Sequence, residues 1–433
     1  MRFLKTAFIL FFSLTIISAD VPNVIEAYLA DDMDYLVSFY KELHMNPEIS
    51  LKEEKTAEAL ATELKKAGYE VTQNFGGYGI VAILKNGNGP QILYRTDMDA
   101  LPMYEKTELP YSSKLTTDLN GSKVGTMHSC GHDVHMTTLL GTARAMAQNK
   151  KSWKGTLMLI GQPAEEIGQG SKMMLEAGLY EKFGTPDYGI GLHSNPTIKA
   201  GQIGIADGYT MANTETIEID VFGIGAHGAT PHMSVDPIVI SSMIIMDLQT
   251  IVSRNVKPID DAVITVGAIQ GGTVANIIPD QVKLKLSVRT FREDVRQYIH
   301  KRIIEVSNGI AMAAGLPEEK WPKVNIPKVF TPANLNDTDL TNKIKASASK
   351  VIGEENVLYA EPQLVGEDFS RYGTWDKKFP TVLFWLGTVS QQKIDANELP
   401  GLHSPFYYPE PKESIETGVK VTSQTLIDLF NAK

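Results

Sequence analysis

Residues 134–192 read VHMTTLLGTARAMAQNKKSWKGTLMLIGQPAEEIGQGSKMMLEAGLYEKFGTPDYGIGL. Apolar residues recur at helical spacing over 134–148, gather into a short apolar run over 156–160, return to helical spacing over 171–177 and close in a second run over 188–192. Helix, strand, helix, strand in that order predicts an α/β fold: a mostly parallel sheet with helices on both faces. Upstream, strand-like runs cover 69–75, 79–84 and 91–96, the latter two joined by a Gly/Asn-rich turn. Before them, Met33, Leu36, Val37, Tyr40 and Leu43 mark a helix that Asn46-Pro47 stops. Ser50 and Glu53 have the spacing of a capping box for the next helix, which Gly68 closes.

Downstream the pattern changes. Strands are expected over 216–222, 262–268, 282–291 and 324–330, with helices over 236–252 and 293–313. Strand, helix, two strands, helix, strand is the order of a ferredoxin-like α+β layer. The α/β style resumes with the apolar run 381–386 and a helix after Glu413. Residues 20–213 and 331–433 therefore read as two parts of one catalytic domain, interrupted by an inserted domain over 214–330.

Residues 1–19 read as a signal peptide: Arg2 and Lys5 precede an apolar stretch too short to span a bilayer. Export to the periplasm or medium is expected, with no stable membrane association once the signal is removed. The chain has 433 residues, enough for more than one core. Its net charge of -10 argues against nucleic acid as a partner. One cysteine in an exported chain means no internal disulfide, so Cys130 has another use.

Acids and histidines cluster just beyond the carboxyl ends of three strand runs: Asp97 and Asp99, Glu165 and Glu166, then His193. Open α/β sheets place their ligand crevice there. The densest group is His128-Ser129-Cys130-Gly131-His132-Asp133-Val134-His135. Cys130 and His132 flank a flexible glycine, and thiolate and imidazole both bind zinc-like ions. Asp133, and Asp99 from the neighbouring strand end, are expected to orient the ligands from behind. In the Glu165-Glu166 pair, one carboxylate is expected on metal and the other free to carry a proton. With His193 and His403, the set Cys130, His132, Glu166, His193 and His403 suits two divalent ions per subunit: zinc, manganese, cobalt or nickel.

The segments at 43–48, 95–102, 130–135, 162–166, 225–232, 271–279 and 366–369 occur in an order that resembles the amidohydrolase branch of the carboxypeptidase-G-type metallopeptidases. That branch includes hippurate hydrolases, N-acyl-amino-acid amidohydrolases, acetyldiaminopimelate deacetylases and plant auxin-conjugate hydrolases. The resemblance implies hydrolysis of the amide bond of N-acyl-L-amino acids, with an exported dipeptidase or carboxypeptidase of the same type as the alternative. It further implies that Cys130 bridges the metals and that Glu165 is general base and acid. The inserted domain would form a homodimer, with His227 reaching the partner's site, and Asn276 and Arg289 would meet the substrate carboxylate. Gly161 departs from the phenylalanine frequent in that branch. Two rival readings are a thiol hydrolase built on Cys130 and a binding protein without turnover.

Overall fold

The structure, a computed structural model, describes residues 21–432, with side chains from residue 24 onward; the expected signal peptide lies outside the described residues. Helices α1 (Val21–Met45) and α2 (Glu54–Lys66) lead into β1 (Glu70–Thr72), β2 (Ile80–Asn86) and β3 (Gln91–Asp97). Next come α3 (His132–Gln148), β4 (Gly155–Gln162), α4 (Gly170–Glu176), β5 (Tyr188–Lys199) and β6 (Ile203–Ile205). A second layer holds β7 (Asn213–Phe222), α5 (Pro237–Thr250), β8 (Ala262–Gly271), β9 (Gln281–Thr290), α6 (Glu293–Ala313) and β10 (Lys323–Asn325). The chain then returns as α7 (Thr338–Ile352), β11 (Val357–Tyr359), β12 (Thr381–Val389) and α8 (Pro411–Phe430).

The larger sheet has eight strands in the order β1-β2-β4-β3-β5-β12-β6-β11. Its centre is parallel: β3 runs with β4 and β5, and β5 with β12. The Gly/Asn-rich turn between β2 and β3 does not make a hairpin. β4 inserts between them, antiparallel to β2 and parallel to β3. Leu157, Met158, Leu159 and Ile160 of β4 are fully buried, and only a central position covers both faces of such a strand. The register sets Asp97 beside Gln162, so the acids that follow β3 and β4 share one sheet edge. His193 stands opposite Trp385 on β12.

The smaller sheet is antiparallel, in the order β8-β9-β7-β10, which is the ferredoxin-like arrangement. Ile217, Ile219 and Val221 of β7 alternate inward and meet Ile240, Ile244 and Leu248 of α5 and Ile299 and Ile303 of α6. Asp236 caps α5 by accepting the Ile238 amide at 2.8 Å. The expected strand 324–330 is only Lys323–Asn325, because Pro327 brings no amide to a ladder. The chain enters and leaves this layer side by side: Thr214 and Thr331 exchange both main-chain hydrogen bonds, at 2.9 and 3.0 Å.

The capping box is a further difference. Glu53 stands at the N-cap of α2 without a side-chain cap bond. The Ser50 hydroxyl instead donates to Asp99, and Glu53 accepts from the amides of Leu51 and Ala164.

Candidate metal centre and active site

Between Cys130 and His132 the backbone must turn sharply into α3. Gly131 does this at φ +83°, where a Cβ would lie 2.6 Å from Ser194 Oγ. Cys130 is thus left at the end of the loop while His132 opens the helix. His193 is carried by β5, and Glu165 and Glu166 by the turn after β4. His403, at φ +62°, is tied to this group by its amide, which donates to Ser129 O at 2.9 Å.

The five expected ligands converge. Sγ of Cys130 lies 3.5 Å from Nε2 of His193, and His403 Nε2 lies 3.3 Å from Glu166 Oε2. His132 Nε2 is 3.8 Å from Glu166 Oε1 and 4.0 Å from Glu165 Oε2. Donor atoms of Cys130, His132 and His193, and those of Cys130, Glu166 and His403, fall within 4.8 Å of one another. Nδ1–H of His132 donates to the Asp99 carbonyl at 2.7 Å, and His193 Nδ1–H to Ser194 O at 2.9 Å. Each ring therefore turns its Nε2 toward the cluster.

The supports differ in part from expectation. Asp99 is in place: its carboxylate accepts the amides of Glu165 and Glu166 at 3.1 and 3.0 Å. Asp133 orients no ligand imidazole. Its Oδ2 bonds His44 Nδ1 at 2.7 Å and its Oδ1 accepts the Val134 amide, because the first turn of α3 points it away from the cluster. Residues to which the sequence reading gave no role do much of the work. His135 holds Asp97 at 2.6 Å, and its Nε2 accepts the Ser194 amide at 2.8 Å. Buried Arg95 pairs with Asp97, Glu367 and Asp368 at 2.7–3.3 Å. Arg95 sits between Tyr94 and Thr96 of a strand buried from Ile92 to Asp97, and a cation so placed requires carboxylates. That was the available signal. Gly161 backs onto Met98 Sδ and Ile80, so a larger side chain there requires both neighbours to shift.

The electrostatics favour bound cations. Burial, with Glu367 and Glu166 adding to it, pushes the Glu165 carboxyl well above the ordinary range. Burial raises Glu166 to about 7 against the pull of His132. Burial and the two glutamates also raise the Cys130 thiol. In His132 burial acts downward, but Asp97 and Asp99 outweigh it and lift the imidazole to about 10. Protons are thus retained where positive charge is lacking, and a metal ion reverses that balance. Two buried atoms aimed into the cluster, His132 Nε2 and Glu166 Oε1, have no hydrogen-bond partner. A sulfur, imidazole and carboxylate set with such orphans fits divalent metal ions. It does not fit a thiol nucleophile, which needs its pKa lowered.

The cluster floors a cleft of about 750 Å³ between the two layers. Arg289 lines it from β9, its Nη1 bound to Leu364 O at 2.7 Å, and no carboxylate lies within ion-pair distance among the described residues. His227 and Asn276 do not line this cleft. They sit together on an exposed ribbon where Ala226–His227 pairs with Ile277–Ile278 and the Gly228 amide meets Asn276 O at 2.8 Å.

Known proteins resemble this chain in sequence and fold. The model of peptidase family M20/M25/M40 matches residues 93–428. An N-acetylcysteine deacetylase of Bacillus subtilis is 36% identical over 356 residues, 82% of this chain and 88% of that protein. A hippurate hydrolase of Campylobacter jejuni is 39% identical over 331 residues, 76% of this chain and 82% of that one. Among solved structures, a dinuclear metal binding peptidase of the M20 family from Bacillus subtilis superposes with TM-score 0.77 at 29% identity, covering 94% of this chain and all of that one. On this likeness of sequence and fold, the chain belongs to peptidase family M20/M25/M40.

Proposed function

We propose that the protein is an exported, homodimeric amidohydrolase that splits N-acyl-L-amino acids into a carboxylic acid and a free amino acid. The observation that carries this reading is Glu165: a buried carboxylate on the cleft wall, beside the metal donors, with its main-chain amide fixed by Asp99. The relatives named above, a deacetylase and a hippurate hydrolase, support the substrate class. Cys130, His132, Glu166, His193 and His403 would hold two divalent ions, zinc or manganese in the first place. Held by these residues, such ions would supply the acidity that lets a water give up a proton near neutral pH. Glu165 takes that proton, the water oxygen adds to the amide carbon, and the C–N bond breaks as Glu165 passes the proton to the departing amine. Arg289 would receive the substrate carboxylate, an unpaired cation beside the cluster being suited to it.

The homodimer is read from the inserted layer. β8 is an open sheet edge, and α5 exposes Val239, Met243 and Met246, the last at 72%. Pairing through this face would bring His227, with Asn276 beside it, into the other copy's cleft to steady negative charge on the amide oxygen. Export rests on the pattern of residues 1–19.

Glu165→Gln is expected to keep its metal and fold while kcat on N-acetyl and N-benzoyl amino acids falls about 100-fold or more. Metal analysis alongside steady-state rates checks this, and a variant that turns over normally sinks the assignment.

A further inference from the structure

Three successive main-chain N–H groups at the catalytic turn end on carboxylate oxygens from distant parts of the chain. Ala164 N–H donates to Glu53 Oε1 at 2.8 Å, Glu165 N–H to Asp99 Oδ1 at 3.1 Å, and Glu166 N–H to Asp99 Oδ2 at 3.0 Å. One short segment before α2 organises both acceptors. The Ser50 hydroxyl donates to Asp99 Oδ2 at 2.6 Å, and the Leu51 amide to Glu53 Oε1 at 2.9 Å. Glu53 is fully buried.

What Glu53 holds is a strained residue. Ala164 sits at φ +50°, a left-handed conformation that an L side chain keeps only when its surroundings enforce it. Pro163 precedes it and brings no amide of its own to fix the turn. Beyond it, the amides of Gln169 and Gly170 close on Ala164 O, both at 3.1 Å. A release of Ala164 toward an ordinary conformation would swing the direction in which Glu165 leaves the main chain.

We infer that Glu53, seated by the Ser50–Leu51 turn, is a positioning residue for the Glu165 carboxylate: it locks Ala164 in its left-handed conformation and so aims the proton carrier at the metal cluster. The inference rests on the role proposed above for Glu165. It needs one acceptor oxygen from Glu53 rather than a charge, since Oε1 takes both amides and Oε2 has no hydrogen-bond partner. A glutamine offers that oxygen and a leucine of similar size does not.

The test uses the full-length, metal-loaded enzyme, with kcat, KM, metal content and thermal midpoint measured for each variant on an N-acetyl amino acid. Glu53→Leu is expected to lower kcat by about 10- to 100-fold with KM and bound metal little changed. Glu53→Gln is expected to stay within about threefold of the parent, and this difference between two substitutes of similar size is what a mere packing role would not predict. Ala164→Gly in the Glu53→Leu background is expected to recover part of the lost kcat, because glycine occupies that conformation without strain. A Glu53→Leu enzyme with parental kcat overturns the inference, as does a Glu53→Gln no better than Glu53→Leu. If Glu53→Leu fails to fold, Glu53→Met decides in its place: its unbranched side chain offers the Ala164 amide no oxygen, a similar kcat loss at constant KM is expected, and parental kcat overturns the inference. Glu165→Gln measured in parallel separates the two levels. Activity in that variant sinks the proton-carrier reading, whereas its inactivity beside a fully active Glu53→Leu sinks the positioning alone.

Discussion

His44 lies between two acids, with Nδ1 at 2.7 Å from Asp133 and Nε2 at 3.2 Å from Glu105. Burial acts to lower its pKa, but the hydrogen bonds and charges of both carboxylates outweigh this and raise it from 6.5 to about 9. The folded state thus holds this proton more tightly than the unfolded chain. The associated stability is complete below pH 6.5 and is lost as pH rises through about 9. It is on the order of 3 kcal/mol. Urea unfolding at intervals across that window is expected to show the decline, and His44→Gln to flatten it. A parent enzyme of constant stability there would contradict the pairing. At this scale the sequence was informative about residues whose chemistry is unusual anywhere, such as Cys130 beside His132. It set Asp133 behind a ligand imidazole and Glu53 in a helix cap, and the structure gives both carboxylates other partners, because a carboxylate's partner is set by packing rather than by its neighbours in the chain.

Among the elements, the loop into α3 is the most constrained. Gly131→Ala would add a Cβ 2.6 Å from Ser194 Oγ at a backbone angle of +83° that L residues avoid. The expected cost is about 1–3 kcal/mol of stability, together with loss of bound metal, because Cys130 and His132 sit on either side. Calorimetry and metal analysis of the variant check both. The helices and strands themselves were largely legible: α6 runs over the expected 293–313, and β4 covers the apolar run with the acids beyond its end. Pairing was not. The turn after β2 pointed to β3 as its neighbour, yet β4 lies between, since a strand as apolar as residues 157–160 gains from an interior place in the sheet. The Ser50 and Glu53 spacing suggested a helix cap, and the same two side chains instead support the turn at residues 164–166, Ser50 through Asp99 and Glu53 directly.

At the scale of the whole molecule, the inserted layer turns an apolar helix face and an open strand edge to solvent. Placing like charges there, with Val239→Glu and Met246→Glu together, is expected to give a monomer in sedimentation or light scattering. If His227 acts across the interface, kcat falls by about 10-fold or more in that monomer; a fully active monomer would refute the shared site. By itself the sequence determined the layers, the set of candidate metal donors and the acidic pair at a strand end, since these depend on residue type and local periodicity. The tertiary structure alone decided strand order, the Arg95 carboxylate network and which acid holds which amide. Those are contacts between segments tens to hundreds of residues apart, and no local spacing encodes which of several buried carboxylates a given donor will meet.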